Sequence, residues 1–422
     1  MNAHRGRHLV AADRGFTTGG GPLARLAAGG FERLLRRIDG ALVAGRIEAV
    51  LPDGSRRLLG GRAEGPAPVV HLHSWRALVR LAASGSVGWY KAWEAGEWSS
   101  PDPVPLFELF MLNAESMGET ARAKGMWRLV NRIAHRLRAN GKARARRNIA
   151  HHYDLGNDFY AAWLDRGMTY SSAVFAEPIA DAEPLEEAQD RKIRLLLDRL
   201  DLKPGDRLLE IGCGWGRLAE MAAGEYGARV TGLTLSAEQK AWAEARLAAA
   251  GHADRVSIAL TDYRDVEGTF DAVASVEMVE AVGREYWPDY LRAIARVLKP
   301  GGRAALQFIS IRDPLFDSYA ANADFIQTYI FPGGLLIFEP RFRRIAEAAG
   351  LQWSDRFDYG PHYAETLRRW RTRYDAAVAG GRLPAGFDEP FHRLWRYYLM
   401  YCEGGFRGGG IDVAQVTLSK PR

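Results

Sequence analysis

Two cysteines, Cys213 and Cys402, are all that the 422 residues contain. That is too few for a disulfide framework, and neither sits in a CxxC pair of the kind that holds zinc. A reducing interior is the expected compartment, and no metal site is expected. Long apolar runs are missing as well. Nothing approaches the roughly 18 uncharged residues of a spanning helix, which predicts a protein that is soluble or peripheral to a membrane. Arg5, Arg7 and Asp13 stand where a signal peptide would carry its apolar core. Acidic side chains disappear between positions 128 and 147, where Arg128, Arg132, Arg136, Arg138, Lys142, Arg144, Arg146 and Arg147 follow one another. On a helix the first three share one face. The plain reading is a solvated helix and linker; the functional one is a patch for anionic lipid headgroups, at about 1 kcal/mol per basic residue near the surface. Nucleic acid ranks lower, because no RNA-binding motif accompanies the patch. The formal charge of +6, from 57 basic and 51 acidic residues, adds only a mild preference for anionic partners.

With 47% apolar residues the chain can bury a full core and is expected to hold two domains. Residues 1–112 mix short helical and strand patterns and read as a smaller accessory domain. Small strands are expected over Gly40–Leu51 and Arg56–Gly61, around the turn Pro52-Asp53-Gly54-Ser55. Residues 113–149 form the basic linker, and 150–422 the catalytic domain. From Asp206 onward strands and helices alternate, the pattern of a parallel sheet covered on both faces. Strands are predicted at Arg207–Ile211, Arg229–Leu233, Val256–Leu260, Phe270–Val276, Arg303–Ile309, Leu351–Tyr359 and Ile411–Leu418. Helices are predicted between them, and Lys299-Pro300-Gly301-Gly302 reads as a helix stop and tight turn. The fold class is α/β, with a Rossmann-like sheet of seven strands. Residues Ser310 to Pro340 are long for a connection, which suggests a functional lid.

Chemistry concentrates at three successive strand ends. Leu208-Leu209-Glu210-Ile211-Gly212-Cys213-Gly214-Trp215-Gly216 reads as a buried strand breaking into a glycine turn that opens a helix, where free N–H groups face a crevice. The second strand ends in Thr234-Leu235-Ser236-Ala237-Glu238-Gln239, and the third in Thr261-Asp262-Tyr263-Arg264. Open α/β sheets bind ligands at such ends. This order resembles the core of S-adenosylmethionine (SAM) methyltransferases. The resemblance implies that Glu210, Gly212, Gly214 and Gly216 take the methionine part of SAM. Thr234, Ser236 and Gln239 would take the ribose or amino acid end, and Asp262, Tyr263 and Arg264 the adenine.

Further motifs narrow the resemblance. They are His151-His152-Tyr153-Asp154-Leu155-Gly156-Asn157-Asp158-Phe159-Tyr160, Met168-Thr169-Tyr170-Ser171-Ser172 and Ser275-Val276-Glu277-Met278-Val279-Glu280. Tyr329-Ile330-Phe331-Pro332-Gly333-Gly334 and Tyr398-Leu399-Met400-Tyr401-Cys402 complete the set. From about Ala150 to the C-terminus the chain resembles the cyclopropane fatty acid synthase family, which includes the mycolic acid cyclopropane synthases. That implies methyl transfer from SAM to the cis double bond of a phospholipid acyl chain, through a carbocation, to a cyclopropane ring. It also implies a dry slot in which Tyr170, Phe175, Phe308, Tyr329, Phe331 and Tyr363 are candidates to face the cation. A lid over the cofactor is implied at the His151–Tyr160 motif, with Tyr170 and Ser171 touching SAM. A bound bicarbonate is implied as the base, held by Glu280, Tyr363 and the backbone of Ile309. Ser172 stands at the family's cysteine position and Gln307 at its histidine position. Both still offer hydrogen bonds, but neither a thiol nor a titratable ring. Glu280 is expected to be indispensable. Cys402 matches a position once regarded as a nucleophile, although no His or Asp is paired with it in sequence.

Those departures bear on the product. A weaker or shifted base lets the cation undergo a hydride shift, and proton loss then gives a methylene branch that a separate reductase saturates. Relatives that make methyl-branched fatty acids resemble the Glu277–Ala281 stretch. Ring formation is placed first, the branched product second, and a small-molecule or RNA methyltransferase behind both. A non-catalytic lipid-binding protein is the remaining class, which binding of SAM would exclude. The expected setting is cytoplasmic, at the inner face of the membrane, with anionic lipid as partner and room for a homodimer.

Overall fold

The computed structural model describes residues 5–10, 28–118, 155–321 and 324–422. The basic run 128–147 and the pair His151 and His152 lie outside the described residues. By its contacts the chain forms two units. One gathers Met1–Arg138, Arg312–Pro332 and Ala385–Ile411; the other gathers Ala139–Ile311, Gly333–Pro384 and Asp412–Arg422. Reading in chain order keeps everything after position 150 together. Contacts group most of the long insert and a late helix with the N-terminal residues instead, because packing partners do not follow chain order.

The first unit carries a sheet of β1 (Arg46–Val50), β2 (Arg56–Gly60), β3 (Val69–Leu72) and β4 (Trp98–Ser99) in the order β2-β1-β3-β4. At the β1–β2 turn the backbone N–H and hydroxyl of Ser55 both donate to Asp53 Oδ1, at 2.9 and 2.6 Å. Aspartate at this place organises the turn through its side chain. The strand expected from Gly40 begins only at Arg46, since the helix Ala28–Ala41 runs through Gly40. The helix Arg76–Glu94 breaks at Gly85, whose φ of 56° and ψ of −133° suit glycine alone. Helix Glu389–Arg407 lies against helix Val104–Leu112 because Gly404 has no side chain. A Cβ there would fall 2.4 Å from Phe107 Cβ. Asp324 ties the insert to this unit, its Oδ1 accepting from Ser86 Oγ and Tyr401 Oη at 2.7 Å each.

The second unit is the seven-stranded α/β sheet that the alternating pattern predicts. Its strands are β5 (Arg207–Ile211), β6 (Arg229–Thr234), β7 (Val256–Leu260), β8 (Phe270–Val276), β9 (Leu298–Ile311), β10 (Gln352–Asp358) and β11 (Ile411–Ser419), in the order β10-β11-β9-β8-β5-β6-β7. Strands β5 to β9 pair in parallel, and β10 with β11 antiparallel. Leu208 and Leu209 are wholly buried, and the helix Arg217–Glu225 packs Leu218, Ala219 and Ala222 into the same core. One expectation fails in detail. Lys299–Gly302 does not form a tight turn but belongs to β9. The Gly301 N–H donates to Lys420 O and the Lys420 N–H to Gly302 O, so strand partners satisfy the backbone. The extra residues appear as a slip in the β8–β9 register.

Chain direction across the sheet reverses between β5 and β8. From β5 it moves outward to β6 and β7, then returns to β8 and continues to β9 on the other side. The carboxyl ends of β5 and β8 therefore flank a crevice, the place where open α/β sheets hold ligands. None of the described helices is long and apolar enough to cross a membrane.

Candidate active site

The glycine turn after β5 forms the floor of the crevice. Gly212, Gly214 and Gly216 have φ of +83°, +50° and +86°, left-handed values that side-chain-bearing residues seldom adopt. Gly216 caps the helix Arg217–Glu225, and a Cβ there would meet Ala243 Cβ at 2.9 Å. Gly214 differs: none of the described residues lies within 4 Å of its missing Cβ, so among them the turn leaves open space at its centre. Beneath it, Glu210 is buried, and its Oε2 has no hydrogen-bond partner among the described residues. Desolvation pushes its carboxyl up to about 8, against the pull of nearby Lys192. An orphaned carboxyl oxygen beside an open glycine turn fits a ligand with a cationic amino acid end.

At the end of β6, Thr234, Ser236 and Gln239 form a cap on the helix Ala237–Ala249. The Gln239 N–H donates to Ser236 Oγ, the Ser236 N–H to Thr234 Oγ1, and Thr234 Oγ1 lies 2.8 Å from Gln239 Oε1. At the end of β7, Arg264 donates from Nε and Nη2 to the two carboxylate oxygens of Asp262, at 2.8 and 2.6 Å. Asp262 thus has a bidentate partner of its own, and Arg264 also lies over the Tyr263 ring. Asn157 Oδ1, from the lid motif, accepts from Trp215 Nε1 at 2.8 Å and joins that motif to the glycine turn. Tyr170 packs among Tyr160, Trp163 and Trp370. Ser171 Oγ accepts from Lys192 Nζ at 2.7 Å.

A second cluster gathers at the ends of β8 and β9, with Glu277 at its centre. Glu277 Oε1 accepts from the Ser172 N–H at 2.9 Å and from Gln307 Nε2 at 2.8 Å, while Oε2 accepts from Tyr363 Oη at 2.7 Å. Gln307 is itself oriented by Gln415, whose Nε2 donates to Gln307 Oε1 at 3.2 Å. Glu280 Oε1 accepts from the Ile309 N–H, and its Oε2 is buried without a partner among the described residues. Desolvation, then the charge of Glu277, pushes the Glu280 carboxyl up to about 8. Lys192 is fully enclosed and pushed down to about 8 by desolvation, with Glu277, Asp165 and Glu210 pulling the other way.

Ser172, Gln307, Tyr363, Ile309 and Glu280 are therefore brought together, but around a carboxylate that the sequence reading passed over. Glu277 was visible only as a second glutamate three residues before Glu280. Lys192 and Gln415 gave no signal, since neither lies near a motif. Cys402 falls in the first unit, where burial pushes its thiol up. Tyr329 and Phe331 fall there as well. Of the aromatic candidates in the second unit, Phe308 packs against Phe342 and Trp353, and Phe175 carries the Arg369 guanidinium over its face at 4.4 Å.

The family model described as mycolic acid cyclopropane synthetase matches residues 140–416. The chain belongs to that family. The tuberculostearic acid methyltransferase UfaA1 of Mycobacterium tuberculosis is 42% identical over 418 residues, covering 94% of this chain and 92% of that protein. The cyclopropane-fatty-acyl-phospholipid synthase of Escherichia coli K12 is 35% identical over 351 residues, 81% and 85% of the two chains. Among solved structures, the mycolic acid cyclopropane synthase CmaA1 complexed with SAH and CTAB superposes with a TM-score of 0.60 at 33% identity, covering 65% of this chain and 98% of that one. The cyclopropane synthase MmaA2 of M. tuberculosis gives 0.60 at 31%, with the same coverage.

This family member is a SAM-dependent methyltransferase, of a family that modifies lipid acyl chains. SAM supplies an electrophilic methyl on a sulfonium. The residues suited to hold it are the open glycine turn, Glu210 and the capped end of β6. Strand order sets the carboxylate cluster beside that crevice, because β8 is the neighbour of β5.

Proposed function

We propose that this enzyme methylates the cis double bond of an unsaturated phospholipid acyl chain and releases a methylene-branched chain. The observation that carries this reading is the enclosed glutamate pair, Glu277 and Glu280, beside the glycine turn. An alkene is a weak nucleophile, so it reacts only when held against the methyl donor in a place poor in water. Methyl addition leaves a cation on the chain, and the cationic carbon must shed a neighbouring proton to become stable. Carboxyl groups with few water contacts suit that task.

The branched product is supported by the relative matched over nearly its whole length, whose name specifies methyl transfer to a fatty acid. Ring closure has its own support, in the synthase from E. coli. Serine and glutamine at positions 172 and 307 favour the former, because the proton acceptor they surround differs from the one the resemblance implies. A methylene product calls for a later reductive step by a hydride donor. The substrate is met at the bilayer surface, with anionic headgroups as the partner of basic residues.

Incubation with methyl-labelled SAM and vesicles of monounsaturated phospholipid tests the reading. Label is expected in the fatty acids after saponification. Label in headgroups, or in an added small-molecule acceptor alone, would overturn it. Vesicle binding is expected to weaken with added salt and with removal of anionic lipid.

A further inference from the structure

The donors at the ends of β8 and β9 converge on a side chain of the protein itself. One backbone N–H, one amide N–H and one phenol all point at Glu277. An added anion would have to compete for the same three donors beside two carboxyl groups, in a pocket with little water to screen them. The residues present do not fit a bound bicarbonate. Glu277 also holds a left-handed backbone, φ +47°, which costs a side-chain-bearing residue of order 1–2 kcal/mol. Strain of that kind persists where the surroundings aim a side chain at something.

We propose that Glu277 is the general base of the reaction, its own carboxylate standing where an external anion would otherwise be held. This rests on the acyl-chain reading above. Oε1 already accepts two hydrogen bonds, whereas Oε2 accepts one and keeps a lone pair free for a proton. After methyl transfer the chain carries a positive charge on one of the former alkene carbons. A hydride shifts from the methyl-bearing carbon to its cationic neighbour, moving the charge to the branched carbon. Glu277 Oε2 then takes a proton from the new methyl group. The C–H electron pair becomes the carbon–carbon double bond of the methylene branch, the chain becomes neutral, and the carboxylate becomes a carboxylic acid. The proton leaves to water when product departs. No oxidant or reductant is consumed.

The neighbouring Glu280 supports this division of labour. Among the described residues it has the Ile309 N–H on Oε1 where Glu277 has three donors from other residues, and its Oε2 has no partner. Two adjacent carboxyls in a dry site cannot both ionise cheaply, and the donors decide which one does. Burial raises the Glu277 carboxyl too, but Tyr363, Ser172, Lys192 and Gln307 oppose that rise. Of the two, Glu277 is therefore the one held towards the anion, and Glu280, pushed up to about 8, the one that favours the proton. Lys192, held by Ser171, supplies the balancing charge.

Three comparisons test the assignment, with labelled transfer to acyl chains as the readout. Wild-type turnover in carbon-dioxide-free buffer is expected to be unchanged by added bicarbonate. Glu277→Gln is expected to lose about 100-fold or more, the usual weight of a general base, with S-adenosylhomocysteine affinity retained by calorimetry. Glu277→Gly suits the left-handed backbone and vacates an anion-sized space, so its lost activity is expected to return in part with bicarbonate or formate. Wild-type turnover that rises steeply with bicarbonate would overturn the proposal while leaving the acyl-chain reading intact. Near-normal turnover of Glu277→Gln would do the same. Absence of transfer under every condition would remove both. The wild-type comparison stands even where a variant fails to fold.

Discussion

The glycine crevice at the ends of β5 to β7 and the carboxylate cluster at the ends of β8 and β9 lie in one unit, on neighbouring strands, but are built differently. The crevice is made locally. Each part is a short stretch in which a strand ends and a helix begins, with backbone conformation and capping supplied by adjacent residues. The cluster is assembled from afar: Ser172, Glu277, Gln307, Tyr363 and Gln415 come from five separate segments. A local site binds a common cofactor by backbone geometry, whereas a non-local one tunes the charge of a single side chain. Cofactor use is therefore the shared property of such folds, and under the proposed function the fate of the cation is decided in the cluster.

Changes on either side of this contrast should separate binding from chemistry. Lys192→Met is expected to have the largest effect, since it leaves buried carboxyls without their cation. A loss of about 3 kcal/mol is expected, read as a lower midpoint in urea, together with loss of turnover. A variant as stable as wild type would show that the lysine is not needed for charge balance. Tyr363→Phe removes one donor from Glu277 and should cost kcat roughly tenfold, as a hydrogen bond to a charged group is worth about 1.5–3 kcal/mol. Its S-adenosylhomocysteine affinity should stay unchanged, and a drop in that affinity would erase the distinction between the two sites.

Gly214→Ala is the reverse case. It meets no atom of the described residues, so stability should fall by only about 1 kcal/mol for the left-handed residue, while cofactor affinity falls by more. Equal losses in both would argue that the space is not the cofactor's. With Glu277 as the base, the smallest effect at neutral pH is expected from Glu280→Gln, which keeps an acceptor for the Ile309 N–H; a collapse of its turnover would instead support the indispensable role that the resemblance implies for Glu280. Its mark is on pH dependence. The folded-state carboxyl sits at about 8 against an ordinary 4.5, so the folded protein holds a proton that the unfolded chain releases. Wild-type stability should fall as pH rises from about 4.5 towards about 8 and then level off. The variant should lack that decline, and its thermal midpoint should gain on wild type across the same window. The Glu210 and Glu277 carboxyls are also raised by burial, so a decline that persists in the variant belongs to them; Lys192, pushed down to about 8, instead adds stability as pH rises above about 8.

Legibility in the sequence follows the same contrast. All seven strands of the second unit were readable, the central parallel ones because buried strands are apolar runs such as Leu208–Ile211 bounded by turns; β10, antiparallel and mostly exposed, is not such a run. The glycine turn and the cap at Ser236 were readable for the same local reason. The start of β9 was not, because Gly301 is satisfied by Lys420, more than a hundred residues away. Nor was the weight carried by Glu277. Its neighbour Glu280 drew attention through motif position, but what distinguishes the two glutamates is the number of donors on each, and those donors are distant in the chain. The grouping of residues 312–332 and 385–411 with the N-terminal unit was hidden likewise, since Asp324, Ser86 and Tyr401 carry no sequence mark of their meeting.

The nature of the carbon that leaves SAM is the most direct measure of the account. Wild-type enzyme would be incubated with SAM carrying carbon-13 in its methyl group and vesicles of cis-monounsaturated phospholipid, and the extracted lipid examined by carbon NMR. The label is expected in a terminal alkene CH2, the product of proton loss to Glu277 after a hydride shift. Label found instead in a cyclopropane CH2 would contradict the branched product and return the enzyme to ring closure.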